Sequence, residues 1–464
     1  MGTIWTPSLD TAVRPKYRAL AEAIRSAIGA GELSVGDRLP PVRELGWQLE
    51  MTPGTVARAY TILTQEGALQ AEVGRGTFVA PPRTAILDDV WSQTARPETD
   101  AALDLFSPRM PDMGQVALIG AAMRSVAGAP PQVFLNYPSR DSHRPTRAVL
   151  VDWLSRVELG QITPEDIALT HGGQNGIILV LQAILRGDRP TVLVEELSYP
   201  GFRRAAELLR ADIQGVAMDA EGVRPDALEA AIRKTGAQVF CSSPEVQNPT
   251  TIFTPLERRR ALADICIRHG VEMVEDDCYG MGAHRAPGYR ALAPDLGWYV
   301  SSVSKTLTPA LRFGYAVAPR GRAADLRRVT EYAHFGLSQP LTETLRLVLS
   351  DPGARRIADA VRARLNTYVE IAVNTLGGFD LAWARDVPFV WLTLPPGWRA
   401  SAFCRAAETE GVLIRSGDEY ALRDGRAPHA VRLAINGHVP PETFEAAMRR
   451  LRRLLDNPPE QISV

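Results

Sequence analysis

Lys305, in the stretch "SSVSKTLTPALRFGY", is one of only three lysines in a 464-residue chain, with Lys16 and Lys234; arginine supplies nearly all the other positive charge. A guanidinium stays protonated near neutral pH and is a poor nucleophile. A lysine amine in a partly desolvated pocket can lose its proton and form a Schiff base with an aldehyde. Groups of matching chemistry are spread along the chain. "HGGQNGIILVLQAIL" sets a glycine pair at the head of a helical run, where Gly173 and Gln174 would turn backbone N–H groups toward a phosphate. Tyr199 in "LSYPGF" offers a flat ring for stacking, and Asn248 in "PEVQNPTT" an amide donor fixed in a turn. In "EDDCYG", Asp276 could face a protonated ring nitrogen and Tyr279 could donate to a phenolate oxygen. Ser302 and Ser304 bring hydroxyls just before Lys305, and Arg312 follows seven residues after it. Singly, each reads more simply as a turn, a core aromatic or a surface charge. Jointly they describe a site for pyridoxal phosphate, which needs a lysine for its aldehyde, an Asp for its pyridinium nitrogen and counter-charge for its phosphate.

Such groups must be positioned by regular elements. Strand-like runs "TVLVEE", "AQVFCSS", "VEMVEDD" and "WYVSSVS" alternate with helix-like runs "NGIILVLQAIL", "PGFRRAAELLRA", "PDALEAAIRKT" and "LERRRALADICIRHG". That alternation predicts a mostly parallel sheet with helices on both faces. Ligands of such sheets sit beyond the carboxyl ends of the strands, where the residues named above fall. The first 80 residues follow another plan. "KYRALAEAIRSAIG" places Leu20, Ile24 and Ile28 on one helical face, "PVRELGWQLE" places Val42, Leu45 and Leu49, and "TVARAYTILTQEG" places Val56, Tyr60 and Leu63. "ALQAEVGRGTFVA" then alternates around Gly74 and Gly76 as a small hairpin. Three helices and a hairpin make a winged helix-turn-helix, in which one helix fits a major groove and the hairpin can approach the backbone. Residues 81–102, rich in Pro, Ala and polar side chains, read as a linker.

"GDRLPPVRELG" and "TPGTVARAYTILTQEG" resemble the DNA-binding domain of the GntR family. By that resemblance Arg43 and Thr55 would meet DNA, with Thr52 at the start of the recognition helix, Gly74 and Arg75 at the wing tip, and Arg58 a further candidate. Pro53 stands where that family usually has an arginine. Residues from about 103 onward resemble a fold-type I, class I aminotransferase. The motif residues are Asn248 in "NPTT", Asp276 with Tyr279, Ser302 with Lys305 and Arg312, and Tyr137 with Arg147 in "YPSRDSHRPTR". The resemblance implies that Tyr137 reaches the phosphate of a neighbouring subunit and that Arg432, in "HAVRLAING", holds a carboxylate. Ser142 and Thr251 replace residues of the family's motifs, so loops over the site should be shaped differently. The two halves in this order resemble the MocR subfamily of transcription regulators. The expected organisation is therefore a winged helix-turn-helix over 1–80, a linker over 81–102 and an α/β, aminotransferase-like domain over 103–464.

The bulk composition bounds the rest. A formal net charge of -1 gives no global pull toward nucleic acid, and residues 1–82 hold eight basic and eight acidic side chains, so DNA binding must rest on local geometry. The four cysteines, Cys241, Cys266, Cys278 and Cys404, show neither paired nor zinc-ligand spacing. No signal-like or membrane-length apolar run is present, and a cytoplasmic location is expected. The resemblance implies a homodimer, arranged head to tail, that binds promoter DNA under the control of pyridoxal phosphate, sometimes with a small amino compound. The alternative is an aminotransferase with an accessory N-terminal module, in which Lys305 would also serve as general base.

Overall fold

The computed structural model describes Trp5, Pro7 and residues 15–72, 76–80, 102–139, 141–422, 425 and 427–458. It divides into two compact units, Met1–Thr99 and Asp100–Val464.

In the first unit three helices, α1 (Lys16–Gly29), α2 (Val42–Gln48) and α3 (Pro53–Gln65), precede strands β1 (Leu69–Glu72) and β2 (Gly76–Val79), which pair antiparallel with Leu69 opposite Val79. The four-residue apolar spacing closes into one core. Leu20 and Ile24 of α1, Leu45 of α2 and Val56 and Leu63 of α3 are all fully buried. Tyr60 is also inside, and its hydroxyl donates to Pro40 O at 2.8 Å, so burying it strands no polar group. Ile28, Val42 and Leu49 pack at the margin of this core.

The second unit is built on a seven-stranded sheet. Its order is Ile167–Thr170, Gly314–Val317, Gly297–Ser302, Glu272–Asp276, Val239–Ser242, Thr191–Glu195 and Asp212–Val216. Gly314–Val317 runs antiparallel to both neighbours and the remaining pairs are parallel. In four of these strands every residue is buried, as expected of continuous apolar runs covered by helices on both sides. One covering helix, Gly172–Ile184, is itself largely buried, with Ile177, Val180 and Leu181 against the sheet.

A four-stranded antiparallel sheet, which the sequence reading did not foresee, follows in the order Leu381–Ala382, Phe389–Thr393, Ala430–Ala434 and Arg415–Ser416. The long helix Pro352–Leu376 and the helix Pro441–Asp456 pack with it around Val390, Leu433, Phe444 and Leu451. It matters here because it carries Arg432.

In the Asn248 loop the residue that replaces the motif's glycine keeps a backbone conformation that glycine favours. Thr251 adopts φ 66°, the left-handed region that suits glycine and strains a β-branched residue. Its N–H donates to Gln247 O at 2.8 Å, which closes the turn and holds the conformation. Thr251→Gly should therefore raise stability by about 1 kcal/mol, the relief of strain less the extra chain entropy of glycine. Urea unfolding of the two proteins measures it, and a less stable variant would show that the Thr251 side chain contributes more than the strain costs.

Candidate functional site

A cavity of about 280 Å³ opens at the carboxyl ends of the sheet strands. Gly173, Gln174, Tyr199, Asp276, Tyr279, Ser302, Ser304, Lys305 and Arg312 line it, and Arg432 enters from the smaller sheet. Lys305 is half-buried, and its Nζ donates to Pro108 O at 3.3 Å and lies 5.8 Å from the centre of the Tyr279 ring. Tyr279 stands edge-on to Phe389, their centres 5.1 Å apart.

The glycine pair is required by packing. A Cβ on Gly173 would lie 2.3 Å from Cys278 Sγ, and one on Gly172 2.8 Å from Arg312 Nη2. Arg312 thus lies over the opening turn of the Gly172–Ile184 helix, whose first N–H groups have no partner within the helix. Its own backbone is left-handed, at φ 48°.

Three consecutive acids end the Glu272–Asp276 strand and its continuation, and the structure gives them different partners. Glu275 accepts from the Tyr289 N–H at 2.7 Å. Asp277 turns away to His284 Nε2 at 2.6 Å and the Tyr299 hydroxyl at 2.5 Å, and although burial opposes the charge, this carboxylate holds the His284 imidazolium up to about 9. Asp276 alone of the three lines the cavity. Burial raises its carboxyl to about 6, against hydrogen bonding from Cys278, whose N–H donates to Oδ1 at 3.1 Å. No arginine, lysine or histidine pairs with it among the described residues.

Arg432 is buried and donates from Nη1 to Asn248 Oδ1 at 2.7 Å and from Nη2 to Phe106 O at 2.7 Å. Asn248 is thus joined to the site through Arg432 and does not line the cavity itself. Its carbonyl oxygen, the end the sequence reading left unused, is the atom engaged. Tyr137 is not brought to Lys305 within one chain. It is 86% exposed and borders a separate cavity with His143 and Phe335.

In the N-terminal unit Thr52 caps α3, its Oγ1 accepting from the Thr55 N–H at 3.3 Å, while Pro53 takes the first helical position, where its missing N–H costs nothing. Arg43 is exposed on α2 and makes no ion pair among the described residues. Arg58, also exposed, lies over the Tyr17 ring at 4.4 Å. Gly74 and Arg75 lie outside the described residues.

Comparison with known proteins bears on both units. Residues 112–451, most of the chain, match the family described as aminotransferase class I and II. The chain belongs to that family. Residues 16–79 of this aminotransferase-family protein match the bacterial regulatory proteins of the gntR family. Among curated relatives it is similar to an uncharacterized HTH-type transcriptional regulator, YdeF, of Bacillus subtilis, at 27% identity over 98% of this chain and 97% of the relative. It is 28% identical to the vitamin B6 salvage pathway transcriptional repressor PtsJ of Salmonella typhimurium, over 89% and 93% of the two chains. It is 29% identical to the HTH-type pyridoxine biosynthesis transcriptional regulator PdxR of Corynebacterium glutamicum, over 79% and 80%. Among solved structures, LysN, the alpha-aminoadipate aminotransferase of Thermus thermophilus, superposes with a TM-score of 0.68 at 25% identity, over 79% of this chain and 98% of that one. An archaeal alanine:glyoxylate aminotransferase gives a TM-score of 0.68 at 21% identity, over 80% and 95%. The class I aminotransferase fold and the winged helix-turn-helix plan are thereby established. No helix among the described residues is long and apolar enough to cross a membrane.

The family implies pyridoxal phosphate, and the cavity of this aminotransferase-family chain fits it. A buried carboxylate with no cationic protein partner suits a pyridinium nitrogen. A glycine-floored helix start beside Arg312 suits a phosphate, and a half-buried amine suits an aldehyde. Gln174 Oε1 is buried in the same wall without a protein partner. Several further lining residues are absent from the sequence-based set, among them Arg204, Arg415, Glu419 and Tyr420. The one signal for Arg415 is an arginine ending the apolar run "GVLIR".

Proposed function

We propose that the protein is a transcription regulator that binds DNA through its N-terminal unit and pyridoxal phosphate through its aminotransferase-like unit. The observation that carries this reading is the gathering of Lys305, Asp276, Arg312 and the Gly172–Ile184 helix start around one cavity, in a chain whose residues 16–79 match a DNA-binding family. Lys305 would attach the aldehyde and Asp276 face the ring nitrogen. Tyr199 would stack on the ring, with Tyr279 beside its phenolic oxygen, while Asn248, which does not line the cavity, would act through its bond to Arg432. Arg312, Ser302, Ser304 and the N–H groups of Gly173 and Gln174 would hold the phosphate. When bound, the cofactor supplies an aldehyde that exchanges with amines and a ring that withdraws electrons. The chain's own residues hold it, pair its charges and restrict water, while Arg432 awaits a carboxylate. Tyr137, too exposed to serve its own cavity, would reach that of a second subunit in a head-to-tail homodimer acting in the cytoplasm. The effector, the cofactor alone or with an amino compound, shifts the DNA-binding equilibrium only so far as it binds two arrangements unequally.

A second reading, an aminotransferase with an accessory module, is favoured by the same cavity. It is also favoured by 29% identity to the 2-aminoadipate transaminase of Thermus thermophilus, over 70% of this chain. Lys305 would then move the proton at the substrate carbon.

The deciding experiment is binding of the full chain to the DNA upstream of its own gene, with and without pyridoxal phosphate. Specific binding that the cofactor alters is expected, and Arg43→Ala should weaken it at least tenfold at fixed salt with a shallower salt dependence. Unaltered affinity in Arg43→Ala would remove Arg43 from the interface. Steady turnover of an amino donor and a keto acid, without specific DNA binding, would favour the enzyme.

A further inference from the structure

Where the helix Ala323–His334 ends, a bend over residues 334–337 touches segments that are far apart in sequence. The His334 ring stands edge-on to the ring of His171, their centres 4.9 Å apart. Phe335 lies 6.2 Å from the Tyr137 ring, and the Leu337 carbonyl accepts from His143 Nε2 at 2.9 Å. At Gly336 a Cβ would stand 2.9 Å from His143 Cε1 and 3.5 Å from Pro138 Cγ, so the bend lies directly on the segment that carries Tyr137 and His143. His171 immediately precedes the Gly172–Ile184 helix, whose opening turn Arg312 covers. One short bend thus joins that helix start to the segment of Tyr137.

The bend is docked against an opposing backbone preference. Phe335 has φ 55°, a left-handed conformation unfavourable for a residue with a Cβ. Both ring nitrogens of His334 are buried with no hydrogen-bond partner among the described residues. Cations flank the other two imidazoles. Arg147 and Glu343 face His143, with Arg327 and Glu331 bordering the same cavity, and Arg312 faces His171. Glu343, the acid nearest in effect to His143, is already paired with Arg346 at 2.8 Å. Burial foremost, deep for His143 and partial for His171, holds both imidazoles below the ordinary histidine value of 6.5. The Leu337 carbonyl opposes this at His143, while Arg147 and Arg312 reinforce it. The docked bend therefore binds fewer protons than a released one, and release is favoured as pH falls from about 6.5.

We propose that the bend is a proton-operated latch on the segment that carries Tyr137. With His143 and His171 neutral it stays docked. Protonated, each imidazole moves away from its neighbouring cation and gives up its contact with the bend, His143 the Leu337 carbonyl and His171 the His334 ring. The backbone at Phe335 then relaxes and the Tyr137 segment is freed. The latch is read within one chain; only its consequence, that a freed segment no longer presents Tyr137 to a second subunit, rests on the reading proposed above.

Hydrogen exchange of the full chain, followed by mass spectrometry and corrected for the intrinsic rate at each pH, tests the latch without cofactor or DNA. Between about pH 7.5 and pH 5.5, peptides covering residues 334–337 and the Tyr137 segment should lose protection at least tenfold, while the strand Val239–Ser242 keeps its own. The double variant His143→Gln, His171→Phe keeps a donor for Leu337 O and a ring against His334 but removes both titrating groups, and it should lose this pH dependence. Constant protection of the bend in the unaltered chain, or the same tenfold loss in the double variant, would overturn the proposal. So would a loss shared equally by Val239–Ser242, which would mark general acid unfolding. The pH series on the unaltered chain needs no variant to fold.

Discussion

Lys305→Ala is expected to leave the protein colourless after incubation with pyridoxal phosphate and desalting, whereas the unaltered chain should retain a visible absorption band. Among the described residues around the cavity the amine is the one group able to form a Schiff base with an aldehyde, and an arginine at the same position keeps its proton. Lys305→Arg should therefore be colourless too, although it preserves the charge. Both variants should fold. Lys305 is half-buried, and among the described residues its Nζ donates one hydrogen bond, to Pro108 O at 3.3 Å, so its removal should cost about 1 kcal/mol or less. The proposed phosphate and ring contacts would remain, and weak, reversible binding should persist in calorimetry with at least a hundredfold loss of affinity. DNA binding by either variant should no longer respond to cofactor at concentrations that saturate the unaltered chain. A visible band that survives desalting in Lys305→Ala would show that the aldehyde is attached elsewhere.

That Lys305, Arg312 and Gly173 meet at one cavity could be read from sequence because the chemistry proposed for them admits few substitutes, and because strand and helix runs place them near strand ends. Asp276 was harder, since it is the middle member of three acids. Only the packing shows that Glu275 turns to the Tyr289 backbone and Asp277 to His284, which leaves Asp276 for the cavity. The smaller sheet left little trace because two of its strands, Leu381–Ala382 and Arg415–Ser416, are two residues long and carry no detectable alternation. Arg415 was lost with them. Its partners, Phe106 and Arg432, are distant in sequence and meet it only through the sheet register. In the first unit the apolar spacing marked the core positions, while the caution raised by Pro53 finds a local explanation as the first residue of a helix capped by Thr52.

Arg259 was the least legible residue of consequence, and it carries the largest expected effect on stability. In "LERRRALADICIRHG" it looks like one of three solvent-facing arginines, yet its side chain is fully buried. It donates from Nε to Thr254 O at 2.8 Å, from Nη1 to Ala286 O and Pro287 O, both at 3.2 Å, and from Nη2 to Pro244 O at 3.0 Å and Glu245 Oε2 at 2.7 Å. One guanidinium therefore ties the loop that carries Asn248 to the segment that follows Asp276 and Tyr279. Arg259→Met keeps the apolar stem but leaves a buried carboxylate and four carbonyls without this donor. Arg285, itself 43% exposed, remains the only ion-pair partner of Glu245 among the described residues. The expected loss is about 3–5 kcal/mol, as for breaking a buried ion pair from one side. Arg259→Met combined with Glu245→Gln should lose less than the two single changes added together, since the second change removes the stranded charge. Urea unfolding of the four proteins closes the cycle, and a loss below about 1 kcal/mol for Arg259→Met would show that water or Arg285 replaces the tie. Because Asn248 in turn accepts from Arg432, the same variant should weaken the binding of carboxylate effectors even where it remains folded, which calorimetry at low temperature would detect.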